Sequence, residues 1–207
     1  MNSIKVGVFV FPDVEVLDFA GPYEVFTTAS RVHSRMHPAA PPPFEVFTIA
    51  QDTQPIKARA GLAVLADYTI ASHPPIDLLI VPGGVVTEEL NKPAIIAWLA
   101  ATAARKQITA SVCTGAFLLA KAGLLDNKRV TTHWEDIADL RRDFPALQVI
   151  DSARWVDEGK IVTSGGISAG IDMSLHLVER LAGRELALRT ARQMEYRWEE
   201  NPNLADS

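Results

Sequence analysis

The sequence predicts an α/β sandwich, a mainly parallel central sheet with helices on both faces. Three short apolar runs carry the prediction: residues 4–11 (IKVGVFVF), 77–81 (DLLIV) and 107–112 (QITASV). Each is nearly continuous and rich in β-branched side chains, the pattern of a strand covered on both faces. Segments of helical length separate them, and neither an internal repeat nor a linker breaks the alternation, so one domain is expected over 1–207.

After the first strand, polar and turn residues lead to Gly21-Pro22, which is expected to open a helix through YEVFTTASRVH. The Pro-rich stretch 38–43 (PAAPPP) cannot continue that helix and reads as a loop. A strand follows at 44–50, then a short β-rich excursion that turns at Gly61 and returns over 62–65. The second core strand ends in Pro82-Gly83-Gly84. A helix over 93–105 precedes the third, and Cys113 stands where that strand stops. Helix is expected over 115–122, a strand near 129–132 and helix near 135–142. Residues 154–156 and 161–163 flank the turn Asp157-Glu158-Gly159-Lys160 as a hairpin. Helices over 168–181 and about 185–198 close the pattern, and the tail NPNLADS is expected to fray.

With 207 residues, 48% hydrophobic and 22% charged, the composition is globular and excludes disorder, collagen and coiled coil. A body of this size buries about 70% of its extended surface. The longest uncharged apolar stretch, 94–104, is too short for a bilayer, so no membrane partner is expected. The apolar N-terminus lacks a small-residue cleavage site and runs into Asp13, Glu15 and Asp18, which predicts a cytoplasmic protein. Net charge is -5 and acidic neighbours offset Arg141-Arg142, so no nucleic-acid partner is expected either. The single cysteine rules out an intrachain disulfide and a cysteine-rich metal site. No metal is expected.

Cys113, between an apolar strand and an apolar helix in SVCTG, occupies the position of a nucleophile elbow. Gly115 and Ala116 would let the helix start close to the sheet, and the helix N-terminus would favour the thiolate, with the Thr114 hydroxyl as a further donor to sulfur. The competing reading is an inert buried thiol. Asp18, in LDFAGP, is either an N-cap for the helix opened by Gly-Pro or a proton donor beside the sulfur. Glu24 reads as a residue of the first helix turns with a dipole or interface role. Gly83-Gly84 is either a plain turn or a pair of amides close to a reacting atom. His133, in TTHW, is a candidate base for Cys113 or a hydrogen-bonded structural residue. The glycines of TSGGISAG lack the lysine of a phosphate loop and suit close helix packing.

Taken in order, LDFAGPYEVF, VPGG, SVCTGAFLLAKAGLL, TTHW and TSGGISAGID resemble the ThiJ/PfpI superfamily, over about residues 4–181. The resemblance implies a flavodoxin-like sandwich similar to class I glutamine amidotransferases. Within the superfamily the segments are similar to the isocyanide hydratase family, which implies hydration of an isocyanide to an N-substituted formamide. Carried over, Cys113 is the nucleophile, Asp18 and Thr114 assist it, and Gly83, Gly84 and His133 meet the substrate. Ser168 stands where that family has Thr. Thr114 departs from the superfamily proteases, which have His there. The resemblance implies no cofactor, a small-molecule substrate and a homodimer. A similar pattern opens AraC-type regulators, which implies a ligand-sensing domain as the alternative, and a thiol enzyme acting on reactive carbonyls is a third. Those regulators continue into helix-turn-helix motifs and this chain stops at Ser207, which favours the enzyme.

Overall fold

The computed structural model describes residues 2–105 and 108–200. The chain runs β1 (Ile4–Phe9), α1 (Val16–Met36), β2 (Phe44–Ala50), β3 (Ile56–Lys57), β4 (Ala63–Val64), β5 (Tyr68–Thr69) and β6 (Leu78–Val81). It continues through α2 (Thr87–Leu90), α3 (Pro93–Ala103), β7 (Ile108–Val112), α4 (Gly115–Lys121), β8 (Arg129–Val130), α5 (Ile137–Asp143) and β9 (Gln148–Val149). The last elements are β10 (Trp155–Asp157), β11 (Ile161–Ser164), α6 (Ala169–Ala182) and α7 (Arg184–Gln193). Gln107, expected to begin the third core strand, and the tail 201–207 lie outside the described residues.

Seven strands form the central sheet in the order β10-β11-β7-β6-β1-β2-β5. Every neighbouring pair is parallel except the hairpin β10–β11. Two groups of helices cover it, with α1, α6 and α7 packed on one another and α2, α3 and α4 forming the second group. Strands β6 and β7 touch helices of both groups, which is why Leu78, Leu79, Ile80 and Val81 are all fully buried. No helix among the described residues is long and apolar enough to cross a membrane.

Two expected boundaries are corrected. Helix α1 begins at Val16, so Gly21-Pro22 lies inside it rather than opening it, and Asp18 is in its first turn instead of at its cap. Glu15 holds the cap position without a side-chain bond. Helix α7 ends at Gln193, short of the expected 198. The excursion after β2 is the hairpin β3–β4. Gly170 packs α6 on β7, since a Cβ there would come within 2.7 Å of Val112.

Candidate functional site

In a parallel sheet the loops beyond the carboxyl ends of the strands converge, and here those after β1, β6 and β7 do so. Cys113 takes a left-handed backbone, φ 56°, a conformation uncommon for any residue with a Cβ. Hydrogen bonds hold it there: its N–H donates to the carbonyls of Ser164 and Gly165 at 3.2 Å, and its carbonyl accepts from Thr132 Oγ1 at 2.8 Å. Small residues make room for the sharp turn into α4. A Cβ on Gly115 would sit 2.1 Å from the Val81 carbonyl oxygen, and one on Gly83 would sit 2.6 Å from Thr114 N.

Asp18 is fully buried against this turn. Its Oδ2 accepts the Gly83 N–H and its Oδ1 accepts the Ile167 N–H, each at 3.1 Å. The Cys113 thiol is its electrostatic neighbour, and no cationic side chain among the described residues is hydrogen-bonded to it. Burial pushes Asp18 up to about 6, against the pull of the two amides. Burial, then the Asp18 charge, pushes the Cys113 thiol up to about 12. The Thr114 N–H favours the thiolate, as expected of a strand-to-helix turn, but desolvation outweighs it. Above about pH 6 the thiol therefore keeps its proton while Asp18 is a carboxylate.

The expected donors are placed differently. Thr114 Oγ1 donates to the Gly84 carbonyl and accepts the Gly84 N–H, both at 2.9 Å, so its proton is committed to Gly84 instead of to sulfur. The Gly83 and Gly84 amides are thereby engaged with Asp18 and Thr114, and neither is a vacant donor for a substrate oxygen. His133 lines the same cleft as Cys113, but its Nδ1 accepts the Glu135 N–H at 3.4 Å and lies 3.4 Å from the Asp136 carboxylate. Its ring packs so closely on Gly166 that a Cβ there would come within 2.1 Å. Glu24 is exposed and holds Arg31 and Thr28.

The cleft has a volume of about 230 Å³, and Glu15, Arg59, Asp136 and Ile167 line it beside Cys113. Arg59 reaches Glu15 at 3.4 Å across it. Ile167 went unnoticed in the sequence, where a β-branched residue after two glycines gives no sign of its role. It is 40% exposed, has φ 53° and presents its N–H to Asp18. His33 and His37, four residues apart, bring their rings to 4.8 Å. No group of three or more metal-ligating side chains occurs among the described residues.

The DJ-1/PfpI family matches residues 4–180. The isonitrile hydratase of Pseudomonas putida is 34% identical over 195 residues, covering 94% of this chain and 79% of that protein. The HTH-type transcriptional regulator CdhR of Pseudomonas aeruginosa is 29% identical over 89% of this chain but only 52% of its own length, so the chain spans about half of it. A crystal structure of a ThiJ/PfpI family protein from Pseudomonas syringae matches with TM-score 0.83 and 27% identity, over 100% of this chain and 80% of that one.

Proposed function

The chain belongs to the DJ-1/PfpI family, and from that premise we propose that it hydrates isocyanides, R–N≡C, to N-substituted formamides. The observation that carries this reading is a buried thiol beside a buried carboxylate that no cation neutralises, at a small cleft. A protonated thiol is a weak nucleophile until a base takes its proton, and Asp18 is the carboxylate that acts on it.

As Asp18 accepts the thiol proton, sulfur bonds to the terminal carbon of the isocyanide. Asp18 returns the proton to that same carbon, leaving the thioimidate R–N=CH–S–Cys113. Water then adds to the carbon, its oxygen forming the new bond while one of its protons ends on nitrogen. Collapse of R–NH–CH(OH)–S–Cys113 breaks the carbon–sulfur bond, and the hydroxyl proton returns to sulfur with the formamide released. No step needs a hydride carrier or an electron acceptor. Thr114 acts through Gly84, holding the turn that carries the cysteine. Gly83 acts through Asp18, and His133 and Ile167 bound the space for the substituent. The same reading takes a small-molecule substrate and a homodimer of this chain.

The match to CdhR over nearly the same segment favours a second reading, a domain that binds its ligand without turnover. An aryl isocyanide mixed with wild type and with Cys113→Ala separates the two. The hydratase should form formamide and, on early quenching, show a mass increase equal to one intact isocyanide, because addition to a terminal carbon expels no group. Cys113→Ala should show neither. Wild-type protein that binds the isocyanide but never yields formamide would be a ligand-binding domain.

A further inference from the structure

Once an isocyanide has added to Cys113, water must reach the carbon bonded to sulfur through the cysteine cleft, and a group in the cleft wall must take its proton. Asp18 is not part of that wall. It has no exposed surface and its two oxygens are held by the Gly83 and Ile167 amides, so it serves the sulfur and the carbon on it from outside the cleft. The ionisable side chains that line the cleft beside Cys113 are Glu15, Arg59, His133, Glu135 and Asp136. Glu15 is turned to the Arg59 guanidinium, 3.4 Å away, and a guanidinium accepts no proton. Glu135 keeps 64% of its side-chain surface in solvent. The His133 ring has its Nδ1 on the Glu135 N–H and is closed against Gly166.

Asp136 remains. Its side chain is 33% exposed, open enough for water to reach, and its carboxylate lies 3.4 Å from His133 Nδ1. The Asp136 N–H donates to the His133 carbonyl at 3.0 Å, which fixes the turn that carries it. The negative charge of Asp136 acts on the Cys113 thiol, so the carboxylate stands near the reacting atom and not at the outer rim. Burial raises Asp136 above the usual carboxylate range; His133 opposes the rise, and Asp139 and Glu135 add to it. A carboxylate moved towards neutrality in this way holds a proton more readily and is a better base.

We infer that Asp136 is the base that delivers water to the thioimidate, with Asp18 serving the first half of the reaction and Asp136 the second. The inference rests on the hydratase reading. One O–H bond of water breaks as its oxygen bonds to the carbon, and the proton passes to the Asp136 carboxylate. The π pair of the C=N bond moves to nitrogen, which then takes that proton from Asp136 and leaves R–NH–CH(OH)–S–Cys113. Wild type and Asp136→Asn, each mixed as the full chain with phenyl isocyanide and quenched over a time course, test the step by mass spectrometry. Asp136→Asn should gain the adduct mass no more slowly than wild type, because a negative charge beside the thiol has gone. It should lose that mass at least about 10²-fold more slowly, the low end for a positioned base, so the adduct accumulates. Asp136→Ala should be slow in the same step, and added formate, a small carboxylate that fits the space left, should restore it. An adduct cleared by Asp136→Asn as fast as by wild type would overturn the inference and leave the hydratase reading in place. Formation and clearing slowed alike would also overturn it, by making Asp136 a holder of the cleft's shape. Wild type that forms neither adduct nor formamide would end the hydratase reading and the inference with it.

Discussion

Asp18 and Asp172 are both wholly buried, and each sits in the first turn of a helix, α1 and α6, that packs against the other. Their partners differ in kind. Asp172 takes Arg154 Nε at 2.8 Å, the Tyr196 hydroxyl at 3.1 Å and the Glu199 N–H at 2.9 Å. Asp18 takes two backbone amides and has the Cys113 thiol as its neighbour. Burial raises both above the usual carboxylate range, and at Asp172 a guanidinium opposes it. A cation-paired carboxylate is a clamp, because losing its charge undoes the pair. The amides also favour the charged form of Asp18, but they carry no net charge and burial outweighs them. Such a carboxylate is free to trade a proton with a neighbour.

The largest expected effect tests that distinction at Asp18. Asp18→Asn keeps one of the two backbone N–H bonds and turns its NH2 towards the other donor, a cost of about 1–3 kcal/mol, and the folded protein should lose about 10²–10⁴-fold in isocyanide turnover, the usual worth of a positioned acid–base group. Asp172→Asn should do the opposite. Removing the charge of the buried partner of Arg154, with Glu199 still 3.6 Å from the guanidinium, should lower urea stability by at most about 3 kcal/mol, the low end for a broken buried pair since Arg154 keeps 33% of its side-chain surface in water. Turnover per folded molecule should stay near wild type. An Asp172→Asn protein that is stable but inactive would break the comparison.

The pH dependence of stability sharpens it. Because Asp18 is raised from 3.8 to about 6 in the folded protein, its contribution to stability is full below about pH 3.8 and is lost as pH rises through about 6. Wild type should therefore lose at most about 3 kcal/mol relative to Asp18→Asn between roughly pH 4 and pH 7, measured by urea unfolding of both proteins across that window. Turnover should fall as pH drops below about 6, where a protonated Asp18 has no room for the thiol proton. A flat profile in either measurement would mean that Asp18 titrates as an ordinary carboxylate.

The contrast between the two aspartates could not be read in advance. The core strands were legible because β1, β6 and β7 are covered on both faces and the chain must be apolar there whatever else it does. Strands of two residues, such as β5 and β9, leave no periodicity to detect. Cys113 was legible because a strand-to-helix turn with a following glycine is a local pattern. Allocation of donors was not, since Asp18 meets Gly83 and Ile167 across 65 and 149 residues of sequence. Arg154 and Asp172 likewise meet only once the β10–β11 hairpin and α6 are in place. Glu89 follows Glu88, and only packing distinguishes the buried acid from its exposed neighbour.

The smallest effect concerns Thr114, which the sequence placed with Asp18 as a partner of the sulfur and the structure places with Asp172 as a holder of shape. Its hydroxyl both donates to and accepts from Gly84, which fixes the β6 loop to the nucleophile turn. Thr114→Val keeps the side-chain volume and strands both Gly84 groups, which are partly buried, so stability should fall by about 1–2 kcal/mol. The thiol should be unaffected, because the donor nearest it on Thr114 is the backbone N–H, which valine retains. The rate of Cys113 alkylation as a function of pH should then superpose on that of wild type, while the urea midpoint moves down. If the alkylation profile shifted to higher pH at unchanged stability, the hydroxyl would be serving the sulfur after all, and Thr114 would move to the side of Asp18.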